Sequence, residues 1–229
     1  MDIQQARFNM VEQQIRTWEV LDQGVLDVLF TVKREDFVPP AYRALAFVDM
    51  EIPLHQADDH EIGRGQTMMS PKLEARILQS VAPQPQDRVL EIGTGSGYLT
   101  ALLAATAGHV TSIEIFAAFS ARAASALAQA RIHNVALKVG DAANSPRSLI
   151  GALDHFDIIV FTGSVPMRPI AYLDFLKPGG RLFAIVGDAP AMKATVTTKS
   201  EDGSFASVEL FETVVAPLIN AQQPSRFHF

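Results

Sequence analysis

The sequence predicts an α/β fold: a doubly wound, mostly parallel sheet with a helical N-terminal extension and a C-terminal antiparallel hairpin. Three observations predict it. Short apolar runs alternate with helix-patterned runs through the middle of the chain. One of those runs ends in three closely spaced glycines directly before a helical pattern. The last part of the chain changes to a strand-turn-strand pattern.

Residues 3–17 are mostly polar with apolar points at Ile3, Met10, Val11 and Ile15, which suits an amphipathic helix. A second helical run, VLDQGVLDVLF, stops before the charged KRED and the Pro39-Pro40 pair. Residues 49–66, rich in Asp, His and Gly, read as irregular. Pro71 suits a first helical turn, and KLEARILQSVA carries Leu73, Ile77, Leu78 and Val81 at helical spacing. RVLEIG then reads as a buried strand, GYLTALLAATAG as a helix and HVTSIEI as a strand. FAAFSARAASALAQARI is a helix, and VALKVGD, FDIIVFTG and RLFAIVG are further strands. This alternation argues for a parallel sheet with helices on both faces. KATVTTKS and SFASVELFETVVAP flank a turn containing Asp202-Gly203 and read as a hairpin closing the sheet edge. Residues 1–70 read as the N-terminal extension and 71–229 as the α/β domain, as one compact unit.

The composition sets bounds. With 229 residues, 48% of them hydrophobic, the chain can bury one sizeable core. A net charge of -6 argues against a nucleic-acid partner, which needs a basic stripe. The lack of cysteine excludes disulfides and thiolate metal sites. MDIQQARFNMVEQQIRTW has no apolar signal core, and no segment approaches the ~20 apolar residues of a membrane helix. A cytoplasmic protein with no membrane partner is the expectation; the oligomeric state stays open.

Candidate chemistry centres on VLEIGTGSGYLTALLA, residues 89–104. Gly93, Gly95 and Gly97 let the backbone turn tightly and approach a ligand, and the following helix supplies free N–H groups. Glu114 ends the next strand, about twenty residues on, where a carboxylate can accept from ribose hydroxyls. Asp141 follows the third strand and can receive a donor such as an adenine amino group. The plain alternatives are a packing turn, a solvent-facing carboxylate and a turn-forming Asp. The glycine spacing is G-x-G-x-G, whereas the dinucleotide fingerprint is G-x-G-x-x-G, so an NAD-dependent oxidoreductase is the weaker reading. Glu91-Ile92-Gly93, FDIIVFTGSVP and LKPGGRLFAIVG resemble S-adenosylmethionine (SAM) methyltransferases.

RFNMVEQQI, VLDVLFTVKREDFVPPAYRALAFVD, GRGQT and VVAPL narrow the resemblance, over most of the chain, to the protein-L-isoaspartate O-methyltransferase family. That resemblance implies a Rossmann-like sheet, SAM as cofactor with S-adenosylhomocysteine as product, and a protein or peptide substrate methylated on its isoaspartyl carboxylate. It places the cofactor near Gly93, Gly95, Gly97, Glu114, Asp141 and Ala142, with Glu91, Thr94, Ile115 and Thr162 beside them. Gln66, Thr67 and Met68 belong to the loop closing over it, and Thr67, Met69 and Ser70 to the acceptor side. The family's loop usually reads Gly-Gln-Thr-Ile-Ser, so Met69 stands where its serine would be. A thioether cannot donate a hydrogen bond to a carboxylate. Met68 reads as apolar filling, whereas Met69 reads either as filling or as part of a reshaped acceptor pocket. Ser70 either reaches the pocket by a one-residue shift or caps the helix at Pro71. A SAM-binding protein with lost or altered activity is therefore the alternative function. HQADDHE holds potential metal ligands in His55, Asp58, Asp59, His60 and Glu61, but its spacing fits no specific site and it reads as a solvated loop.

Overall fold

The computed structural model describes residues 2–56, 59, 65–143, 149–151 and 155–224. In chain order the elements are α1 (Ile3–Asn9), α2 (Gln23–Thr31), β1 (Ile52–Pro53), β2 (Thr67–Met68), α3 (Pro71–Val81), β3 (Arg88–Ile92) and α4 (Tyr98–Thr106). There follow β4 (His109–Glu114), α5 (Ala117–Gln129), β5 (Val135–Val139), β6 (Phe156–Val165), β7 (Leu176–Val186), β8 (Met192–Lys199) and β9 (Phe205–Thr213).

Seven strands form one sheet in the order β5-β4-β3-β6-β7-β8-β9. The five from β3 to β7 run parallel, and β8 and β9 are added antiparallel, as the hairpin pattern predicts. The chain moves outward from β3 through β4 to β5, then returns to the other side of β3 as β6. Connections diverge at that reversal, and a crevice opens beyond the C-terminal ends of β3 and β6.

Strand alternation separates two cores. Val89, Val110, Ile158, Val160 and Phe183 face one side, which α2, α3, α4 and α5 cover. Leu90, Ile92, Ile113, Ile159 and Phe161 face the other. There the sequence expects helices, but among the described residues the cover is Tyr172 and Phe175 of a 3₁₀ turn (Ile170–Phe175), with Ala142, Ile150 and Ala221. Pro166 and Pro169 in the β6–β7 connection cannot donate the backbone bonds that a longer helix needs.

The N-terminal extension joins the first core. Asp2 caps α1 by accepting from the N–H groups of Gln4 and Gln5. The expected single helix then changes pitch: Met10–Ile15 is a π turn and Arg16–Trp18 a 3₁₀ turn. Bonds from i to i+5 bring Met10 and Ile15 onto one face, and both are fully buried. The stretch read as irregular contributes one strand of a two-residue antiparallel ladder, Ile52 opposite Met68 and Pro53 opposite Thr67. It is too short to leave a periodic signal.

Candidate active site

The crevice is built on the β3–α4 turn. Gly93, Gly95 and Gly97 have φ of +97°, +54° and +82°, the left-handed region that side chains disfavour. A Cβ on Gly93 would lie 2.2 Å from Thr162 Oγ1. That hydroxyl donates to the carbonyls of Ile92 (3.0 Å) and Gly93 (2.7 Å), so β6 is laced to the turn. On the other side, Glu114 accepts from the Gly95 N–H through Oε2 (2.8 Å) and from the Phe116 N–H through Oε1 (3.0 Å). Burial raises its carboxyl above the usual range, and these backbone donors oppose the shift. Asp141 accepts from the Ala143 N–H (3.1 Å) and from the side-chain amide of Asn220 (2.8 Å).

Of the residues expected at the site, Gln66, Thr67, Met69, Gly93, Gly95, Glu114, Ile115, Asp141, Ala142 and Thr162 line this cleft together. Met68, Glu91 and Thr94 do not; they line a small adjoining cavity of about 40 Å³ that shares Thr67, Met69, Gly93, Gly95 and Thr162 with the cleft and reaches Glu74 and Leu99. Gly97 and Ser70 line neither cavity. Gly97 instead packs where a Cβ would meet the Ala123 Cβ at 2.9 Å, bringing α4 against α5. Thr94 shares a hydrogen bond with Ser112 (2.6 Å).

Glu91 is a support rather than a cleft residue. It is fully buried, and its Oε2 accepts from Thr100 (2.5 Å) and Ser112 (2.6 Å). Burial pushes its carboxyl up to about 8 from 4.5, against the pull of those hydroxyls. The native state therefore keeps a proton that the unfolded chain has lost between these two values. The resulting stabilisation is complete below about pH 4.5 and disappears as pH rises through about 8. Glu91→Gln keeps an acceptor for both hydroxyls and removes the titration. The stability of the variant relative to wild type is expected to rise with pH from 5 to 8 by on the order of 3–5 kcal/mol. Thermal unfolding across that range checks it; parallel curves for the two proteins would refute it.

The loop above the turn is pinned in register. The Leu54 N–H donates to the Gln66 carbonyl (3.0 Å), extending the β1–β2 ladder. Thr67 Oγ1 donates to Glu51 (2.9 Å). Met68 and Met69 are both buried in the first core, and Met69, 8% exposed, also lines the cleft. Ser70 holds the N-cap position of α3, but its hydroxyl makes no capping bond; its carbonyl accepts from Leu73 and Glu74 instead. Of the possible metal ligands, Asp58, His60 and Glu61 lie outside the described residues. Asp59 forms a two-bond pair with Arg122 of α5 (both 2.9 Å), and that guanidinium holds its carboxyl below the usual range.

Several cleft residues escape sequence reasoning. Phe116 and Phe119 open α5, and Leu54 closes the loop side. The run from Val215 to Ile219 forms a wall after β9. It is tied to β6 by bonds from the Ser164 N–H to the Ala216 carbonyl (3.0 Å) and from the Leu218 N–H to the Ser164 carbonyl (2.9 Å). Only the two phenylalanines left a signal, at i and i+3 just past Glu114. A second, more polar cavity of about 280 Å³ shares Leu54, Gly95 and Phe119 with the cleft and reaches Arg43, Gln56 and Gln129.

A mostly parallel sheet with a glycine turn, a buried strand-end acid and a cleft at the switch point is a nucleotide-binding arrangement, and the family match makes it that of a SAM-dependent methyltransferase. A family model described as "Protein-L-isoaspartate(D-aspartate) O-methyltransferase" matches residues 5–223. The chain belongs to the protein-L-isoaspartate O-methyltransferase family. It is 34% identical over 224 residues to protein-L-isoaspartate O-methyltransferase 1 of Pelobacter propionicus, covering 97% of this chain and 99% of that one. It is 37% identical over 205 residues to the Anaeromyxobacter sp. (strain Fw109-5) protein of the same name, covering 88% and 91%. Two solved structures share the fold. A protein-L-isoaspartate O-methyltransferase superposes with a TM-score of 0.77 at 22% identity, over 93% of this chain and 65% of the other. A Plasmodium falciparum protein-L-isoaspartate O-methyltransferase described with S-adenosyl-L-homocysteine has a TM-score of 0.72 at 18% identity, covering 95% and 98%. No helix among the described residues is long and apolar enough to cross a membrane.

Proposed function

We propose that this protein transfers the methyl group of SAM to the free carboxylate of isoaspartyl residues in peptides or damaged proteins. The observation that carries the reading is how the polar groups of the cleft are committed. Glu114 and Asp141, the acids on its wall, are both held by hydrogen-bond donors, and the hydroxyls of Thr67 and Thr162 are turned to other oxygens. The Gln66 amide oxygen is buried without a partner. The site is thus fitted for positioning, and an isoaspartyl carboxylate, which titrates near pH ~4 in water, is already ionised at pH 7 and needs no base. In-line positioning alone supplies about 7–11 kcal/mol.

The residues present fit the cofactor. The glycine turn has no room for a Cβ at Gly93, and Glu114 stands at the strand end where ribose hydroxyls find an acceptor. Gly93, Gly95, Glu114, Ile115, Asp141, Ala142 and Thr162 would hold it, with Gln66, Thr67 and Met69 across the cleft. SAM supplies an electrophilic methyl: the carboxylate oxygen bonds to that carbon, the carbon–sulfur bond breaks, and its electron pair stays on sulfur as neutral thioether. The Gln66 side-chain NH2 group is the donor we assign to the acceptor carboxylate; its buried oxygen, itself an acceptor, takes no part in that contact. The polar cavity beyond Leu54 and Phe119 takes the flanking peptide. The net charge of -6 supports a setting without nucleic acid, and we assign the reaction to the cytoplasm.

Tritiated-methyl transfer tests the proposal. An isoaspartyl peptide is expected to be labelled in a base-labile ester, and the matching aspartyl peptide to remain unlabelled. A second reading, a SAM-binding protein with lost or altered transfer, is favoured by the Met69 side chain on the acceptor wall. S-adenosylhomocysteine binding without labelling of the isoaspartyl peptide would select it.

A further inference from the structure

We infer that Arg34 is a positioning residue for methyl transfer: from inside the core, its guanidinium fixes the Met69 backbone and so the acceptor wall of the cleft. The inference rests on the methyl-transfer reading above. Arg34 opens the short turn Arg34–Asp36 of the N-terminal extension, is 1% exposed, and lines none of the cleft.

Each of its three nitrogens donates to a different partner. Nε donates to the Ala46 carbonyl (3.0 Å), Nη2 donates to the Met69 carbonyl (2.7 Å), and Nη1 donates to the Glu74 carboxylate. The Tyr98 ring lies against the guanidinium, 5.2 Å from Cζ to its centroid. Each partner belongs to a different part of the site's frame. Ala46 lies in the extension, Met69 in the acceptor loop, Glu74 in the first turn of α3 and Tyr98 at the start of α4, directly after the glycine turn. One planar cation therefore sets the acceptor loop against the two helices that follow the loop and the turn. Lysine cannot do this, because a compact ammonium lacks the flat, rigid fork.

Stability alone does not explain the arrangement. Buried ion pairs are often matched or surpassed by apolar residues of similar volume, so the pair is weak ground for a purely structural role. A donor aimed at a single carbonyl does what an apolar replacement cannot: it sets where Met69 sits to within a fraction of an ångström. A displacement of about 1 Å at such a wall can cost about 100-fold in rate.

The test pairs Arg34→Met with Glu74→Leu, so that neither charge is left alone in the core. The readouts are S-adenosylhomocysteine affinity by calorimetry, kcat on an isoaspartyl peptide, and the Met69 methyl resonance in isotope-labelled protein, assigned with Met69→Leu. The double variant is expected to bind S-adenosylhomocysteine within about threefold of wild type, to lose about 30- to 100-fold in kcat, and to shift or broaden the Met69 resonance. An unchanged kcat, an unchanged Met69 resonance, or affinity falling in step with kcat would each overturn the inference. If wild type does not methylate the peptide, the proposed function fails, and the Met69 resonance alone decides on Arg34. Should the double variant not fold, Arg34→Lys keeps the charge beside Glu74, removes the fork, and is read in the same way.

Discussion

Replacing Gly93 with alanine is expected to lower the affinity for S-adenosylhomocysteine by about 100-fold and to reduce thermal stability by several degrees. Two separate strains meet at this residue. Its φ of +97° places an alanine in a region that costs about 1–2 kcal/mol. The new Cβ would also lie 2.2 Å from Thr162 Oγ1, closer than non-bonded atoms can approach. Relief requires Thr162 to leave the carbonyls of Ile92 and Gly93, or β6 to withdraw from β3. Either movement widens the part of the cleft where the nucleotide is proposed to lie. Gly203→Ala separates the two strains, since Gly203 has φ +84° but nothing within 4 Å of an added Cβ. That control is expected to leave ligand affinity unchanged. Thr162→Ala should recover part of the Gly93→Ala loss, as a clash between two residues demands. Calorimetric titration of the four variants checks the set. Equal affinities for Gly93→Ala and wild type would mean that the turn is not the nucleotide cradle.

The same residue marks how far local pattern reaches. An apolar run, three glycines and a helix stand side by side in the sequence, so the β3–α4 turn was legible there, as was the hairpin around Asp202-Gly203. Glu91 directly precedes the turn, yet its side chain points to Ser112 of β4 and Thr100 of α4, a pairing that adjacency in the sequence does not signal. Ser70 shows the opposite limit. Its N-cap position follows from Pro71, but its hydroxyl makes no capping bond, a detail that residue type and spacing do not determine. The frame of the cleft was the least legible part. Arg34 meets Met69 across 35 residues, and Asn220 meets Asp141 across 79. Long polar side chains that join distant segments leave no period in the chain, so only packing reveals them. The same holds for the wall from Val215 to Ile219, which becomes a wall because Ser164 pairs with it.

Met69→Ser is expected to raise kcat/KM on an isoaspartyl peptide by at least about tenfold, with S-adenosylhomocysteine affinity little changed. Met69 lines the cleft, and a thioether offers no donor there. Its serine neighbour cannot substitute, because the loop has no freedom to slide. Thr67 and Met68 are paired with Pro53 and Ile52, and the Met69 carbonyl is held by Arg34. A one-residue slip that brought Ser70 to this place would break both contacts and carry Met68 out of its buried position to that of Thr67. A serine at 69 therefore places its hydroxyl on the same wall, beside the Gln66 amide. Removing the larger side chain opposes the gain, at about 2–5 kcal/mol of stability, since Met69 is largely buried. A stability loss of that size lowers the melting temperature without entering kcat, so the two effects separate when rates are measured well below unfolding. A rise from an inactive wild type would identify Met69 as the residue that silenced transfer. A rise from an active one would mean that Gln66 already orients the carboxylate and that serine adds a second donor. No rise at all would show that the thioether wall serves a different acceptor, one that gains nothing from a hydroxyl there.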